Sequence, residues 1–126
     1  MEGLSIQFFE FAPQWCILKM SEKRKPTHCL DSFKEEFSDE NNLNFTRTAL
    51  LSAFELGFSR FEIVEVIQTM EKEHFYKSMT SHANHKIWQD VYHVPSEQGV
   101  LYIKFTSDTV TDFSFLMLSF KEKENG

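Results

Sequence analysis

The pattern of hydrophobic positions divides the chain into a helical first part and a strand-rich second part. Leu30, Phe33 and Phe37 recur at intervals of three and four residues, so one face of a helix would carry all three. We therefore predict a short amphipathic helix over residues 31–37. The polar stretch 38–42 that follows it predicts a loop.

A pair of helices is predicted next, over residues 46–56 and 60–70. In both segments, apolar residues return to one face at helical spacing. Gly57 stands where a helix would end on a left-handed residue, and Ser59 with Glu62 forms the pattern of a capping box. The sequence therefore predicts two helices joined by a tight turn.

After Glu73 the apolar period changes from helical spacing to every second residue. Aromatic and β-branched residues are abundant in four segments that polar loops separate. The predicted strands are 75–81, 86–93, 99–106 and 112–121, with loops at 82–85, 94–98 and 107–111. Consecutive strands with short connections favour an antiparallel meander. The predicted fold class is α+β, with N-terminal helices packed on a mainly antiparallel C-terminal sheet.

The chain has 126 residues, which is enough for one compact domain and too few for two of ordinary size. We predict a single domain over residues 23–123, an N-terminal extension over 1–22 and a short tail over 124–126. Glu2 stands where a secretory signal carries positive charge, and Pro13 interrupts the apolar run. We therefore expect an untargeted, cytoplasmic protein.

The charge of the chain argues mildly against a nucleic-acid ligand. Net charge is -6, from 19 acidic and 13 basic residues, whereas proteins that bind nucleic acid are usually basic. The acidic excess lies in residues 1–73, so an anionic ligand would be better received by residues 74–126, which are nearly neutral and rich in histidine. No stretch reaches the roughly 18 apolar residues of a membrane span, and we expect no membrane partner.

The spacing of cysteine and histidine gives little support for a metal site. Cys16 and Cys29 form no CxxC pair, and we expect two reduced thiols, with a single disulfide as the open alternative. His82 and His85 are three residues apart, but no acidic or cysteine ligand lies in register with them. We predict no metal and no cofactor.

Strand alternation indicates where polar chemistry could gather. It puts Phe75 on the same face as Lys77, and Met117 on the same face as Lys121. One face of each predicted strand includes a long polar side chain that could act on a phosphate, and aligned strands would bring four such side chains together. These side chains are Lys77, Gln89, Tyr102 and Lys121.

Such a set suits RNA cleavage by transesterification, in which the ribose 2′-hydroxyl attacks the adjacent phosphate and the 5′-oxygen leaves. Lysines around the phosphate stabilise the charge that develops there. A tyrosine or lysine can relay a proton, and a glutamine can hold the phosphate or the hydroxyl by hydrogen bonds. The ordinary alternatives are solvated strand lysines that protect a sheet edge, and a core tyrosine with its hydroxyl at the rim.

Five short motifs stand in order along the chain: EKRKP at 22–26, TRTALL at 46–51, FYKSMT at 75–80, IWQDVY at 87–92 and SFKEK at 119–123. Together they resemble the MqsR family of toxins, the motility quorum-sensing regulators. The resemblance spans about residues 23–123, with a longer loop around 38–44.

The resemblance implies a RelE-like ribonuclease toxin fold and metal-independent cleavage of single-stranded messenger RNA at short GC-containing sites, which inhibits translation and growth. The implied partner is an MqsA-type antitoxin, through which operator DNA would be bound only indirectly. The residues implicated in the family's activity correspond to Lys77, Gln89, Tyr102 and Lys121. As supporting contacts to RNA we predict Tyr76, Met79, His85, His93 and Lys104.

The chain departs from the family pattern in two respects. It is acidic where members are basic, and His93 stands where an arginine is usual. Both departures favour weaker RNA binding. A second hypothesis is therefore a toxin-fold protein with weak or no catalysis that binds an antitoxin and acts as a transcriptional regulator. A metal-dependent hydrolase that uses the histidines is the third.

Overall fold

The computed structural model describes residues 21–81 and 83–124, and these form the α+β arrangement that the sequence predicts. The helices are α1 (Leu30–Glu36), α2 (Arg47–Glu55) and α3 (Arg60–Gln68). The strands are β1 (Glu22–Lys23), β2 (Phe75–Thr80), β3 (Trp88–Ser96), β4 (Gly99–Ser107) and β5 (Phe115–Glu122). Residues 1–20, with Cys16, and His82 lie outside the described residues.

The helices α2 and α3 are the predicted pair, and local side chains define their ends. The hydroxyl of Thr46 caps α2 by accepting a hydrogen bond from the backbone N–H of Ala49 at 3.2 Å. Gly57 follows α2 with a φ of 95°, in the left-handed region that favours glycine. Ser59 and Glu62 each accept a hydrogen bond from the other's backbone N–H, so the predicted capping box is present.

The sheet of the described residues is an antiparallel meander with the strand order β1-β2-β3-β4-β5. Ser96 pairs with Gly99, so the turn between β3 and β4 has two residues and the loop predicted over 94–98 is wrong. The loop before β5 is longer than predicted. Asp108 organises it by accepting hydrogen bonds from the Thr111 hydroxyl at 2.6 Å and from the Val110 N–H at 2.9 Å.

A β-bulge in β2 changes which residues share a face. Phe75 pairs with Tyr92 while Lys77 pairs with Val91, so Tyr76 is an extra residue in the strand. One extra residue reverses the faces of everything on its far side. Phe75 packs edge-on against Tyr92 in the core, with ring centroids 5.5 Å apart, and the prediction that it shares a face with Lys77 is wrong.

A second bulge, in β5, has the same effect. Ser119 pairs with Lys104 and Met117 pairs with Phe105, which leaves Leu118 as the extra residue. Met117 is fully buried in the core, so the prediction that it shares a face with Lys121 is also wrong. The two bulges keep Phe75 and Met117 on the inner face of the sheet while Lys77 and Lys121 stay on the outer face.

The helices cover the inner face of the sheet. Many of the chain's 14 phenylalanines pack in the core between the helices and the sheet. Buried Phe33 of α1 stacks on Phe105 of β4, with ring centroids 3.8 Å apart and 8° between the planes. Ala53 and Ile67, from α2 and α3, are buried in the same cluster with Phe120 of β5. The opposite surface of the sheet, which we call the outer face, is left without a helical cover in the described part of the chain.

A buried carboxylate holds the linker that precedes α1. Asp90 of β3 is fully buried and accepts hydrogen bonds from the backbone N–H groups of Thr27 at 3.1 Å and His28 at 2.8 Å. The Thr27 hydroxyl bonds that of Ser78 at 2.8 Å, and the His28 ring bonds the Trp88 carbonyl oxygen at 3.0 Å. These contacts fix the linker beside β2 and β3.

We expect Asp90→Asn to lower the free energy of unfolding by about 1–3 kcal/mol, because a buried N–H of the linker loses its acceptor. Urea unfolding followed by circular dichroism measures this change. Asp112→Asn is the matched control, since Asp112 is exposed, and it should change stability by less than about 0.5 kcal/mol. Equal effects of the two variants would contradict the anchoring role of Asp90.

Candidate active site

The register of the sheet arranges the outer face in three rows that cross the strands. The first row is Tyr76, His93, Tyr102 and Lys121. The second is Lys77, Val91, Lys104 and Ser119. The third is Glu22, Met79, Gln89 and Thr106. Neighbouring rows are two residues apart along β3 and β4, which is about 7 Å. All four candidate catalytic side chains therefore lie on one surface.

The first row lines an open groove of about 420 Å³. Tyr76 stacks on His93 with ring centroids 4.3 Å apart and 24° between the planes, and the centroids of His93 and Tyr102 are 6.0 Å apart. The ammonium of Lys121 lies 5.4 Å from the centroid of the Tyr102 ring. Lys123 and Glu124 complete the lining. The groove therefore has aromatic walls and a cationic rim.

The outer face is locally cationic although the whole chain is acidic. Lys104 is half-buried in the second row, and its pKa is lowered by burial and by the nearby ammonium groups of Lys121 and Lys77. Arg24 donates a hydrogen bond to the Tyr76 carbonyl oxygen at 3.1 Å, and its guanidinium lies 5.4 Å from the centroid of that ring. The local charge decides which ligand a groove attracts, so this face suits an anion.

A carboxylate from the N-terminal strand reaches the candidate lysine of β2. The Nζ of Lys77 lies 2.7 Å from Oε2 of Glu22, and the side chains are 17% and 46% exposed, respectively. A charge-assisted hydrogen bond of this length fixes the direction of a mostly buried ammonium. Glu22 stands here because it pairs with Met79. Sequence reasoning missed this residue, since no local pattern shows where a two-residue strand will pair.

Burial shifts the pKa values of two groove rings in opposite directions. Desolvation raises the pKa of half-buried Tyr102, although the positive charge of Lys77 acts against this. The pKa of His93 is lowered, first by desolvation and then by the positive charges of Lys123 and Lys77. Near neutral pH, Tyr102 therefore keeps its proton and His93 is uncharged.

The structure separates the other predicted site residues from the groove. Gln89 and Met79 lie in the third row, and Gln89 is roughly 13 Å along the sheet from the first row at about 3.3 Å per residue. Met79 is only 8% exposed, so it offers little surface to a ligand. His85 lies in the exposed loop between β2 and β3, at the end of the sheet away from Tyr102.

The described residues contain no group of three or more His, Cys, Asp or Glu side chains that could hold a metal ion. Within the same residues, no helix is long and apolar enough to cross a membrane. Cys29 is exposed where α1 begins. The groove therefore offers a ligand the lysines and the aromatic rings of the outer face.

The strands that line this groove fall within a known sequence family. Residues 25–122 match the family described as motility quorum-sensing regulator, toxin of MqsA. The chain belongs to this toxin family. A relative, the mRNA interferase toxin MqsR of Escherichia coli strain K12, is 40% identical over 102 residues, which cover 81% of this chain and 99% of the relative. The family predicted from the motifs is thus confirmed, and β2 to β5 lie inside the match.

We expect His93 to titrate below the value of about 6.5 that an unperturbed histidine has. Lys123→Gln should raise the pKa of His93, because it removes one of the positive charges that disfavour imidazolium. Lys86→Gln, in the exposed loop after β2, is the matched control and should leave this pKa unchanged. NMR titration of the ring Cε1–H measures both variants.

The lowered pKa of His93 also makes the stability of the protein depend on pH. The unfolded chain takes up this proton at a higher pH than the folded protein, so acidification from about 6.5 downward should lower the free energy of unfolding. A wild-type His93 that titrates at or above 6.5 would contradict its placement beside the two lysines.

Proposed function

We propose that this protein is the toxin of a type II toxin–antitoxin system and cleaves single-stranded messenger RNA without a metal. The observation that supports this most directly is the cationic outer face, where Lys121 lies over Tyr102 in the groove and the charge of Lys77, in the adjacent row, reaches Tyr102. The relative's name, mRNA interferase toxin, supports the same activity. Cleavage would act in the cytoplasm, where it inhibits translation and growth.

In the proposed reaction the ribose 2′-oxygen forms a bond to phosphorus while the bond from phosphorus to the 5′-oxygen breaks. Negative charge grows on the non-bridging oxygens, where Lys77 and Lys121 stabilise it. Tyr102 keeps its proton at neutral pH and donates it to the departing 5′-oxygen. The products are a 2′,3′-cyclic phosphate and a 5′-hydroxyl.

The distance of Gln89 from the groove favours a role in binding RNA over a role at the scissile phosphate. From the third row, its amide can donate to and accept from a neighbouring nucleotide, rather than the scissile phosphate. Lys104, in the second row, supplies positive charge between these two positions. We propose that one RelE-like domain over residues 23–123 carries the activity. We also predict that it cleaves messenger RNA at short GC-containing sites.

We expect Lys77→Ala and Lys121→Ala each to slow cleavage of a natural messenger RNA in EDTA by about 10²–10³-fold, because each removes a donor to the developing charge. Wild-type protein should leave discrete fragments with 5′-hydroxyl ends. Lys86→Ala, which removes an exposed lysine away from the groove, is the matched control and should cut normally. Circular dichroism verifies that the variants are folded.

Three outcomes of this assay would contradict parts of the proposal. Cuts that persist in both lysine variants would remove the roles of Lys77 and Lys121. Cleavage that disappears in EDTA would favour a metal-dependent hydrolase. A folded wild-type protein that makes no cuts at any salt concentration would favour the regulator described below.

Glu22 competes with an RNA phosphate for the ammonium of Lys77. We therefore expect Glu22→Gln to bind non-cleavable 2′-O-methyl RNA more tightly. The slope of log K against log salt should become steeper by about 0.7, the value for one added phosphate contact on a single strand. Glu40→Gln, with the same charge change at an exposed turn, is the control. Identical slopes for wild type and both variants would show that Glu22 stays paired in the complex.

A second candidate function is an antitoxin-binding transcriptional regulator with weak or no catalysis. The net charge of -6 favours this alternative, because it opposes long-range attraction of RNA. In both functions the partner is an MqsA-type antitoxin, and operator DNA is reached only through that partner. Antitoxin binding therefore does not separate the two functions, whereas RNA cleavage does.

A further inference from the structure

We propose that His93 is the catalytic base of the cleavage step and that its imidazole accepts the proton of the attacking 2′-hydroxyl. This inference rests on the proposed ribonuclease function and assigns the group that starts the reaction. It goes beyond a supporting contact to RNA, because it gives His93 a proton-transfer role that can be measured separately from binding.

The position of His93 supports this role. It is paired directly with Tyr102 in the register of β3 and β4, and the two ring centroids are 6.0 Å apart in the same groove. An in-line displacement needs a proton acceptor at the 2′-oxygen and a proton donor at the 5′-oxygen, each within about 2.6–3.2 Å of its partner. Lys121 beside Tyr102 supplies the charge that holds the phosphate between them.

The imidazole of His93 is held by stacking in the groove. Tyr76 stacks on one face of the ring at 4.3 Å, so aromatic packing fixes the plane of the imidazole. Among the described residues, ring nitrogens of His28 and His74 form hydrogen bonds to the protein, whereas neither ring nitrogen of His93 does. A stacked ring with open edges can exchange a proton with a ligand in the groove without first breaking a contact to the protein.

A bound phosphate changes the electrostatic environment of the His93 ring. Burial first, and then the positive charges of Lys123 and Lys77, disfavour imidazolium at this position. A bound phosphate adds negative charge beside the ring and stabilises the imidazolium that proton transfer creates. The groups facing this region are Arg24, Tyr76, Lys77, Tyr102, Lys104, Lys121 and Lys123, with Glu22 and Glu124 as the carboxylates.

The neighbouring groups are less suited to the task. Glu22 is paired with Lys77 at 2.7 Å, so its carboxylate is engaged. Tyr102 keeps its proton near neutral pH, and burial raises its pKa further. Lys104 lies in the second row, two residues along β4 from Tyr102, whereas His93 and Lys121 flank Tyr102 in the first row. His93 therefore combines an open acceptor nitrogen with a place in the first row.

The step balances in atoms and protons. The 2′-hydroxyl proton passes to a nitrogen of His93 as the 2′-oxygen bonds to phosphorus. The bond from phosphorus to the 5′-oxygen breaks, and the 5′-oxygen takes the proton of Tyr102. Solvent then carries one proton from the imidazolium to the phenolate, which restores both groups.

The test uses two variants of the full chain in steady-state cleavage of an RNA oligonucleotide between pH about 5 and about 9. His93→Phe keeps a ring that can stack on Tyr76 but has no nitrogen, and His93→Gln keeps hydrogen bonding but does not titrate. We expect both to lower kcat by about 10²–10⁴-fold with little change in KM, and to lose the acidic limb of the pH profile. In wild type, that limb in kcat/KM should fall at the pKa that NMR gives for His93.

A substrate with sulfur in place of the bridging 5′-oxygen separates the base from the acid, because a thiolate leaves without being protonated. It should restore cleavage by Tyr102→Phe and leave His93→Phe slow. Wild-type kcat and an intact acidic limb in His93→Phe would overturn the proposal and reduce His93 to a stacking element, while the proposed function would stand. A wild-type limb that does not match the NMR pKa of His93 would also overturn it, independently of whether the variants fold. Absence of cleavage by wild type would overturn the proposed function itself.

Discussion

The buried carboxylate of Asp90 determines where the N-terminal linker lies, and the outer face depends on that placement. A fully buried carboxylate must receive hydrogen bonds, and the linker supplies them through the N–H groups of Thr27 and His28. The docked linker forms β1 beside β2, which brings Glu22 within 2.7 Å of Lys77. A polar contact on the inner face of the sheet therefore organises an ion pair on the outer face.

The local and the net charge of the chain point in opposite directions, and the sheet explains why. Lys77, Lys104 and Lys121 come from β2, β4 and β5, and the register of the sheet places them on one surface. A ligand in the groove experiences these nearby charges strongly, whereas exposed carboxylates more than about 10 Å away are largely screened by salt. Net charge was therefore a poor guide to what this face can bind, although it still affects the rate of encounter with RNA.

The features that sequence predicted well are those with local causes. The capping box of Ser59 and Glu62 involves residues three positions apart, and the strands show alternation within a few residues. Alternation also put Lys77 and Lys121 on candidate faces, but it grouped them with apolar residues that lie on the opposite face of the sheet. The bulges that correct those faces are defined only when one strand is paired with another. Glu22 was missed because its position also depends on strand pairing, and its partner strand lies more than fifty residues later in the chain.

One physical cause accounts for the protonation states of both groove rings. Burial disfavours whichever form is charged, so it raises the pKa of the Tyr102 phenol and lowers that of the His93 imidazole. The lysines act differently on the two groups: Lys77 reinforces the shift of His93 and opposes that of Tyr102. Since desolvation is the largest cause in both cases, burial strengthens the states that both groups prefer near neutral pH, in which the phenol holds its proton and the imidazole is uncharged. A donor and an acceptor therefore arise side by side from a single property of the sheet surface.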